Sequence, residues 1–443
     1  MKASWFGFLF ASFVSVLVTP VHSAPEYQQQ SAQEVRAREG VGNFLQKLKA
    51  GKPVTVAYLG GSITAQNGWR VKTTDWLQKQ YPAAKITPIH AAIGGTGSNL
   101  GVFRLEHDVL RHTPDLLFVE FATNDGGVPP EGIWRTMEGI VRQTWKKDPV
   151  TDIVFTYTIT TPMTNDYCCG LCNRSASAME QLADHYGIPS INFGPRVADL
   201  LKQGKLIMSA HELNRKFDPY TVEQDKNGTD EKGRIVFAPE GVHPYDKGHE
   251  LYLTSIINGF TEMKESKPVD HKSKLATPFV ANNFEHAKMI PIEESMLAGT
   301  WQKLPADNNL MKWFSNRQGQ IWRTDTPEST LTFTFKGTFA QIYDLLGPDG
   351  GQVDIFVDGN KITRKPCARF DSYCTYWRIA TLWCCSFPEP GTHTVKIVLD
   401  SEQPDRHPVA FRLKDPEKEL REPKYNGRNF WASQLMIIGE IVR

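Results

Sequence analysis

The sequence predicts an α/β domain with a parallel sheet and helices on both faces, followed by an all-β sandwich. Three observations carry that expectation. The first is length: 443 residues exceed one ordinary domain and are enough for two separate cores. The second is an alternation, from Val54 onward, of short apolar runs with amphipathic stretches. That is the signature of βαβ units whose sheet is covered on both sides. The third is a change of pattern near residue 265, beyond which period-two runs and turn signals take over.

In the first part, the apolar runs predict strands over 54–59, 86–91, 116–121, 152–157 and 188–191. Between them, helical spacing falls over 69–80, 103–111 and 132–147. In such a sheet, ligands bind beyond the carboxyl ends of the strands, so chemistry is expected there. Residues 266–285, charged and polar at first and carrying Pro268, read as a linker. Strands are expected over 331–335, 353–357, 392–399 and 434–438, with Asp358-Gly359 as a hairpin turn.

At the N-terminus, Lys2 precedes an uncharged apolar run from Trp5 to Val18, and small residues follow. This predicts an export leader over 1–23, cut after Ser23 because Pro25 disfavours a cut after Ala24. The run is short of the ~20 residues that span a bilayer, so a membrane anchor is not expected. The domain boundaries then fall at 24–265, 266–285 and 286–443. A net charge of +1 gives no electrostatic reason to expect nucleic acid as a partner. The seven cysteines, Cys168, Cys169, Cys172, Cys367, Cys374, Cys384 and Cys385, fit an oxidising route. They are expected in structural disulfides, with at least one thiol left over. Cys169-Gly-Leu-Cys172 has the form of half a zinc site, but no second ligand pair follows, so no metal is expected.

The chemistry-bearing residues sit at predicted strand ends. Gly60-Gly61-Ser62-Ile63-Thr64 directly follows the first strand, on a tight turn that exposes a hydroxyl. Alone, this is also what a helix-capping turn looks like; a phosphate loop would need a lysine that is missing. Ile93-Gly-Gly-Thr-Gly-Ser98 ends the second strand with backbone N–H groups free to meet a developing oxyanion. Phe121-Ala-Thr-Asn-Asp125 places an amide side chain at the end of the third. Ala238-Pro-Glu-Gly-Val-His-Pro244 carries Glu240 three residues before His243, a spacing that lets one turn hold the carboxylate against the imidazole. His249 follows closely and reads as structural.

Over 54–257 the chain resembles the SGNH, or GDSL-like, hydrolase superfamily, a three-layer flavodoxin-like α/β fold. The resemblance implies Ser62 as nucleophile in Gly61-Ser62-Ile63 and His243 as general base. It implies an oxyanion hole of the Ser62 and Gly95 N–H groups and the Asn124 side chain. The segment Arg104-Leu-Glu-His-Asp-Val-Leu-Arg111 is also familiar from that family. Three positions depart from its pattern: Gly61 and Glu240 stand where aspartate is usual, and Ala122 where glycine is common. Glu240 is expected to orient His243, and no cofactor is needed.

The second domain is similar, more loosely, to the galactose-binding-like modules that accompany carbohydrate esterases. Trp301, Trp313, Trp322, Trp377, Trp383 and Trp431 lie there, as sugar platforms or as core. Asn67 and Trp69 are candidates to line the substrate pocket. The expected function is a secreted esterase that removes acyl groups, acetyl foremost, from a polysaccharide. Two other readings stand beside it: a glycosidase on the same fold, with Glu240 as its acid, and an inactive glycan-binding protein.

Overall fold

The computed structural model describes residues 25–213, 228–373 and 375–442. The leader expected over 1–23 lies outside the described residues. Among them, no helix is long and apolar enough to cross a membrane.

The apolar runs form a six-stranded sheet. Its strands are β1 (Val35–Arg36), β2 (Val54–Gly60), β3 (Ile86–Ala92), β4 (Leu116–Glu120), β5 (Asp152–Tyr157) and β6 (Ser190–Asn192), in the order β1-β6-β5-β4-β2-β3. All neighbours are parallel except the edge strand β1, which runs antiparallel to β6. Successive side chains point to opposite faces, so one strand feeds two cores. Ala57, Leu59, Leu117 and Val119 enter one core, whereas Val56, Tyr58, Leu116 and Phe118 enter the other.

Helices cover both faces. The first core is closed by α4 (Ser98–Asp108), α5 (Pro130–Lys147) and α7 (Arg174–Tyr186). The second is closed by α1 (Gly42–Lys49), α3 (Trp69–Gln80), α8 (Gly194–Lys202) and α9 (Asp246–Glu262). Two short helices, α2 (Ser62–Ala65) and α6 (Thr164–Cys168), complete the set. The sequence of α5 shows why it forms. Pro130 sits at the first position, Glu131 in the first turn, and Lys146 and Lys147 in the last, which matches the helix dipole. Ile133, Trp134, Met137, Ile140, Val141 and Trp145 make its buried stripe. The helix expected over 103–111 begins earlier, at Ser98, because the glycine turn before it ends at Gly97.

Beyond the sheet, Leu206–Ser209 and Ile235–Ala238 form a separate parallel pair. The segment expected as a linker is docked rather than loose. His271 stacks on Trp145 with centroids 4.5 Å apart, and the Phe279 and Val280 N–H groups donate to the buried Glu138 carboxylate.

The second domain is antiparallel, as its period-two runs predict. Ten strands are hydrogen-bonded into one continuous sheet, whose longest members are Thr330–Leu346 and Arg378–Leu399. Irregularities at 337–339 and 340–341 interrupt their pairing. One face, with Phe333, Ile342, Ile355, Leu382, Val395 and Leu435, closes a core of its own. The opposite face brings Tyr343, Leu345, Ile379 and Met436 into the first domain's core. The disulfides expected here and in the first domain are absent among the described cysteines: Cys168, Cys169, Cys172, Cys367, Cys384 and Cys385 are all unbridged. Cys172 instead takes an N–H from Asn192, and burial pushes its thiol up to about 12, a state inert to exchange.

The two domains are joined by stacked rings and by charge. Phe103 of α4 stacks on Phe339 at 5.6 Å and meets Phe284 edge-on at 5.9 Å. Helix α10 (Asn309–Gln318) carries Arg317, which donates to Asp108 of α4 at 3.0 Å. Asp108 also accepts from the buried Arg104 at 2.8 Å. Burial alone would push the Asp108 carboxyl up. The hydrogen bond with His107 and the charges of Arg104 and Arg317 outweigh it and hold the pKa at about 2. A carboxyl lowered from 3.8 to about 2 contributes stability above pH ~4 and loses it as the pH falls towards 2. Asp108→Asn strands the Arg104 charge and is expected to cost about 3–5 kcal/mol in urea unfolding at pH 7. The gap between variant and wild type should narrow below pH 4, and an unchanged gap there would refute this account.

Candidate active site

At the carboxyl end of β2, the chain turns from Gly60 into α2, and Ser62 is the first residue of that helix. Gly61 lies in an extended conformation and has no room for a side chain, because a Cβ there would overlap the Asn124 amide oxygen. Asn124 belongs to the turn after β4, so the ends of two neighbouring strands press together at this point. From the other side comes the turn after β3, where a Cβ at Gly94 would lie 3.6 Å from Ser62 Cβ. Gly95 has φ +71°, the left-handed region that favours glycine, and open space beside it. Sequence motifs separated by some thirty residues each are therefore brought around one hydroxyl.

The histidine arrives on the loop between the Ile235–Ala238 strand and α9. That loop is pinned at each end. Ser209 Oγ and the Ala210 N–H donate to the Pro239 carbonyl, and the Tyr245 N–H donates to the Phe237 carbonyl. Between them, Gly241 has φ +81°, and its carbonyl accepts from the Thr161 N–H at 2.9 Å. A left-handed glycine between the two residues shapes the turn that lets Glu240 fold back onto His243. His243 Nε2 lies 2.8 Å from Ser62 Oγ. Its Nδ1 is hydrogen-bonded to Glu240 Oε1, which also accepts from the His243 backbone N–H at 3.1 Å. Desolvation pushes the Glu240 carboxyl up, but the hydrogen bond and charge of His243 bring its pKa below the ordinary carboxylate value. Serine, imidazole and carboxylate thus form one continuous relay, able to move a proton off Oγ and hold the resulting imidazolium.

A second carboxylate close to His243 in the chain, Asp246, points elsewhere. It starts α9 and pairs with Lys72 at 2.8 Å. His249 is buried; its Nδ1 accepts from the Trp69 N–H at 3.1 Å and so caps α3 from a neighbouring helix. Desolvation lowers its pKa to about 4, which keeps it neutral for that bond.

Asn67 and Trp69, expected to line the substrate pocket, lie in different surroundings. Asn67 is exposed, with its side-chain oxygen accepting from Arg70 at 3.4 Å. Trp69 is 0% exposed and does not line a pocket. It packs edge-on against Tyr58, Phe118 and Phe193 at 5.6–5.7 Å, filling the second core. The open space lies instead on the Gly95 side. A groove of about 220 Å³ is lined there by Gly95, Thr96 and Asn99 of the first domain and by Arg378 and Thr381 of the second. Its second-domain wall gave no motif in sequence, since it is made where the end of one long strand, at Leu346, meets the start of another, at Arg378. Trp377, next to Arg378 in the chain, faces the exposed Trp313 with centroids 6.4 Å apart. Trp322 and Trp431 are buried, as core tryptophans. Among the described residues, no three His, Cys, Asp or Glu side chains are grouped to hold a metal ion.

A serine turn, a glycine turn, an asparagine turn and a histidine loop thus meet at the carboxyl edge of the parallel sheet, an arrangement suited to serine-hydrolase chemistry. Residues 58–251 match the model of the GDSL-like Lipase/Acylhydrolase family. Among solved structures, it is similar to a two-domain esterase active on acetylated mannans, co-crystallised with mannopentaose. That likeness has 18% identity and a TM-score of 0.67, and it covers 94% of this chain and 100% of the other. A second structure, also of a two-domain esterase active on acetylated mannans, matches at 19% identity and TM-score 0.64, covering 90% and 94% of the two chains. The shared fold extends over both domains. No curated protein matches the sequence significantly.

Proposed function

We propose that this protein is an exported serine esterase that removes acetyl groups from a polysaccharide. The observation that carries the reading is the Ser62–His243–Glu240 relay, opening beside a groove walled by both domains. Ser62 Oγ attacks the ester carbonyl carbon as His243 Nε2 takes its proton. The oxyanion is received by the Ser62 and Gly95 N–H groups and the Asn124 amide. The tetrahedral centre collapses, the sugar oxygen leaves with the proton from His243, and Ser62 holds the acetyl group. Water, losing a proton to His243, then releases acetate and restores the serine.

Two features support a polymeric substrate. The groove runs between domains rather than into a closed pocket, and Trp313 offers an exposed aromatic face beside Trp377. The similar two-domain esterases, active on acetylated mannans, make acetylated mannan the first polymer to test. The glycosidase reading requires Glu240 to be a protonated acid, whereas its contact with His243 favours the carboxylate. Incubation with acetylated mannan, xylan and a deacetylated control is expected to release acetate from the first two polymers and no reducing sugar from any. Reducing ends without acetate would replace this reading with the glycosidase.

A further inference from the structure

Directly behind the nucleophile turn lies a carboxylate that the proton relay does not use. Glu120 ends β4, one residue before Phe121, and is 0% exposed. Its Oε2 accepts from Thr64 Oγ at 2.8 Å and its Oε1 from Thr158 Oγ at 2.8 Å. It is also hydrogen-bonded to the Gly61 backbone N–H. Thr158 spends its hydroxyl proton on Glu120, so in its 2.7 Å bond to Thr123 the donor must be Thr123. One buried carboxylate therefore grips the turn on both sides of Ser62, at Gly61 and Thr64. Through Thr158 and Thr123 it also reaches the residue beside Asn124.

The position of Gly61 shows why the grip comes from a neighbouring strand. A side chain at Gly61 would displace Asn124, so the turn has no space for a carboxylate of its own. Burial pushes the Glu120 carboxyl up while the bonds from Thr158, Thr64 and the Gly61 N–H draw it the other way; three groups converging on one buried side chain make it a rigid anchor. We propose that Glu120 is a positioning residue of the reaction, fixing Ser62 and Asn124 relative to each other without touching substrate. This rests on the esterase reading above. Preorganisation of this kind acts on the transition state and leaves ground-state binding largely alone.

The test uses the full chain, with Glu120→Gln, Thr64→Val and the double variant. Three quantities are measured: kcat and KM on a soluble acetyl ester, the rate at which a fluorophosphonate labels Ser62, and the urea midpoint. Glu120→Gln is expected to lower kcat by about 10–100-fold with KM within about twofold, and to slow labelling in step. Thr64→Val, which removes one donor, should lower kcat by about fivefold, and the double variant should be no slower than Glu120→Gln alone. A lowered urea midpoint with wild-type kcat and labelling would reduce Glu120 to a structural role and overturn the proposal. If Glu120→Gln does not fold, Thr64→Val decides: unchanged kcat and labelling overturn it. A wild type that is neither active nor labelled would overturn the esterase reading and this proposal together, whereas an active wild type with unaffected variants would overturn this proposal alone.

Discussion

Ser62→Ala is expected to lower kcat/KM on an acetyl ester by about four orders of magnitude while leaving the free energy of urea unfolding within about 1 kcal/mol of wild type. The size follows from the site. His243 Nε2 has one partner for its proton transfer, Ser62 Oγ at 2.8 Å, and alanine leaves the base with nothing to activate except water. Residual turnover would come from the oxyanion donors and from substrate positioning, which alanine leaves in place. The small stability effect also follows, because Ser62 is half-buried and, among the described residues, its side chain bonds to His243 alone, so alanine removes one net hydrogen bond. Mass spectrometry after fluorophosphonate treatment should place the label on Ser62 in the wild type and nowhere in the variant. A variant that retains more than about a tenth of wild-type activity would exclude Ser62 as nucleophile.

Much of this arrangement was legible in the sequence, and the reason is local. Ser62, Gly95 and Asn124 each follow a strand whose apolar run is plain in the sequence, whereas His243 follows the short Ile235–Ala238 strand outside the main sheet and is marked only by its spacing from Glu240. The rule that parallel sheets gather chemistry at one edge then brings them together. What the sequence hid is what depends on three-dimensional neighbours. Trp69 follows the nucleophile by seven residues and reads as a pocket wall, yet the turn of α3 carries it into the core beside Phe118. The cysteines read as a disulfide framework because they cluster, but clustering in sequence says nothing about which way each side chain points along a strand. Cys384 is buried inside the second domain's core. The single signal available for Glu120 was a lone carboxylate in the run Leu116-Leu-Phe-Val-Glu-Phe121, and only the neighbouring threonines show what it holds. The groove was beyond reach altogether, since Arg378 lies some 280 residues from Gly95 in the chain.

The second domain bears on function through the same contacts that hold it in place. Arg317 donates both to Asp108 and to the His90 carbonyl, near the end of β3. Arg104, held by Asp108, donates in turn to the Gly60 carbonyl at 3.2 Å and to the Ala91 carbonyl. The C-terminal ends of β2 and β3, from which the nucleophile and glycine turns depart, are thus tied to the interface. A first domain cut free of the second would lose one wall of the groove and the outer half of that charge network.

Glu240→Gln is the other large effect expected, about 10²–10³-fold in kcat, with KM and the urea midpoint little changed. Glutamine keeps the length and one acceptor oxygen but removes the charge that holds His243 as it becomes an imidazolium. The expected loss is smaller than for a fully buried triad carboxylate, because Glu240 and His243 are both partly exposed and solvent screens their interaction. Glutamate has one methylene more than the aspartate usual in the family, and the left-handed Gly241 turn lets its carboxylate fold back onto Nδ1. Shortening it should therefore be harmful: Glu240→Asp keeps the charge but withdraws it from Nδ1, and is expected to cost about tenfold. Asp246→Asn gives the contrast. Its carboxylate is half exposed and engaged with Lys72, so kcat should change by less than about twofold. The ranking Glu240→Gln below Glu240→Asp below Asp246→Asn in activity, read from steady-state kinetics at pH 7, is the outcome that assigns the third position of the relay to Glu240. If Asp246→Asn proves the most damaging of the three, that position passes to Asp246 and the bond between Glu240 and His243 has no part in turnover.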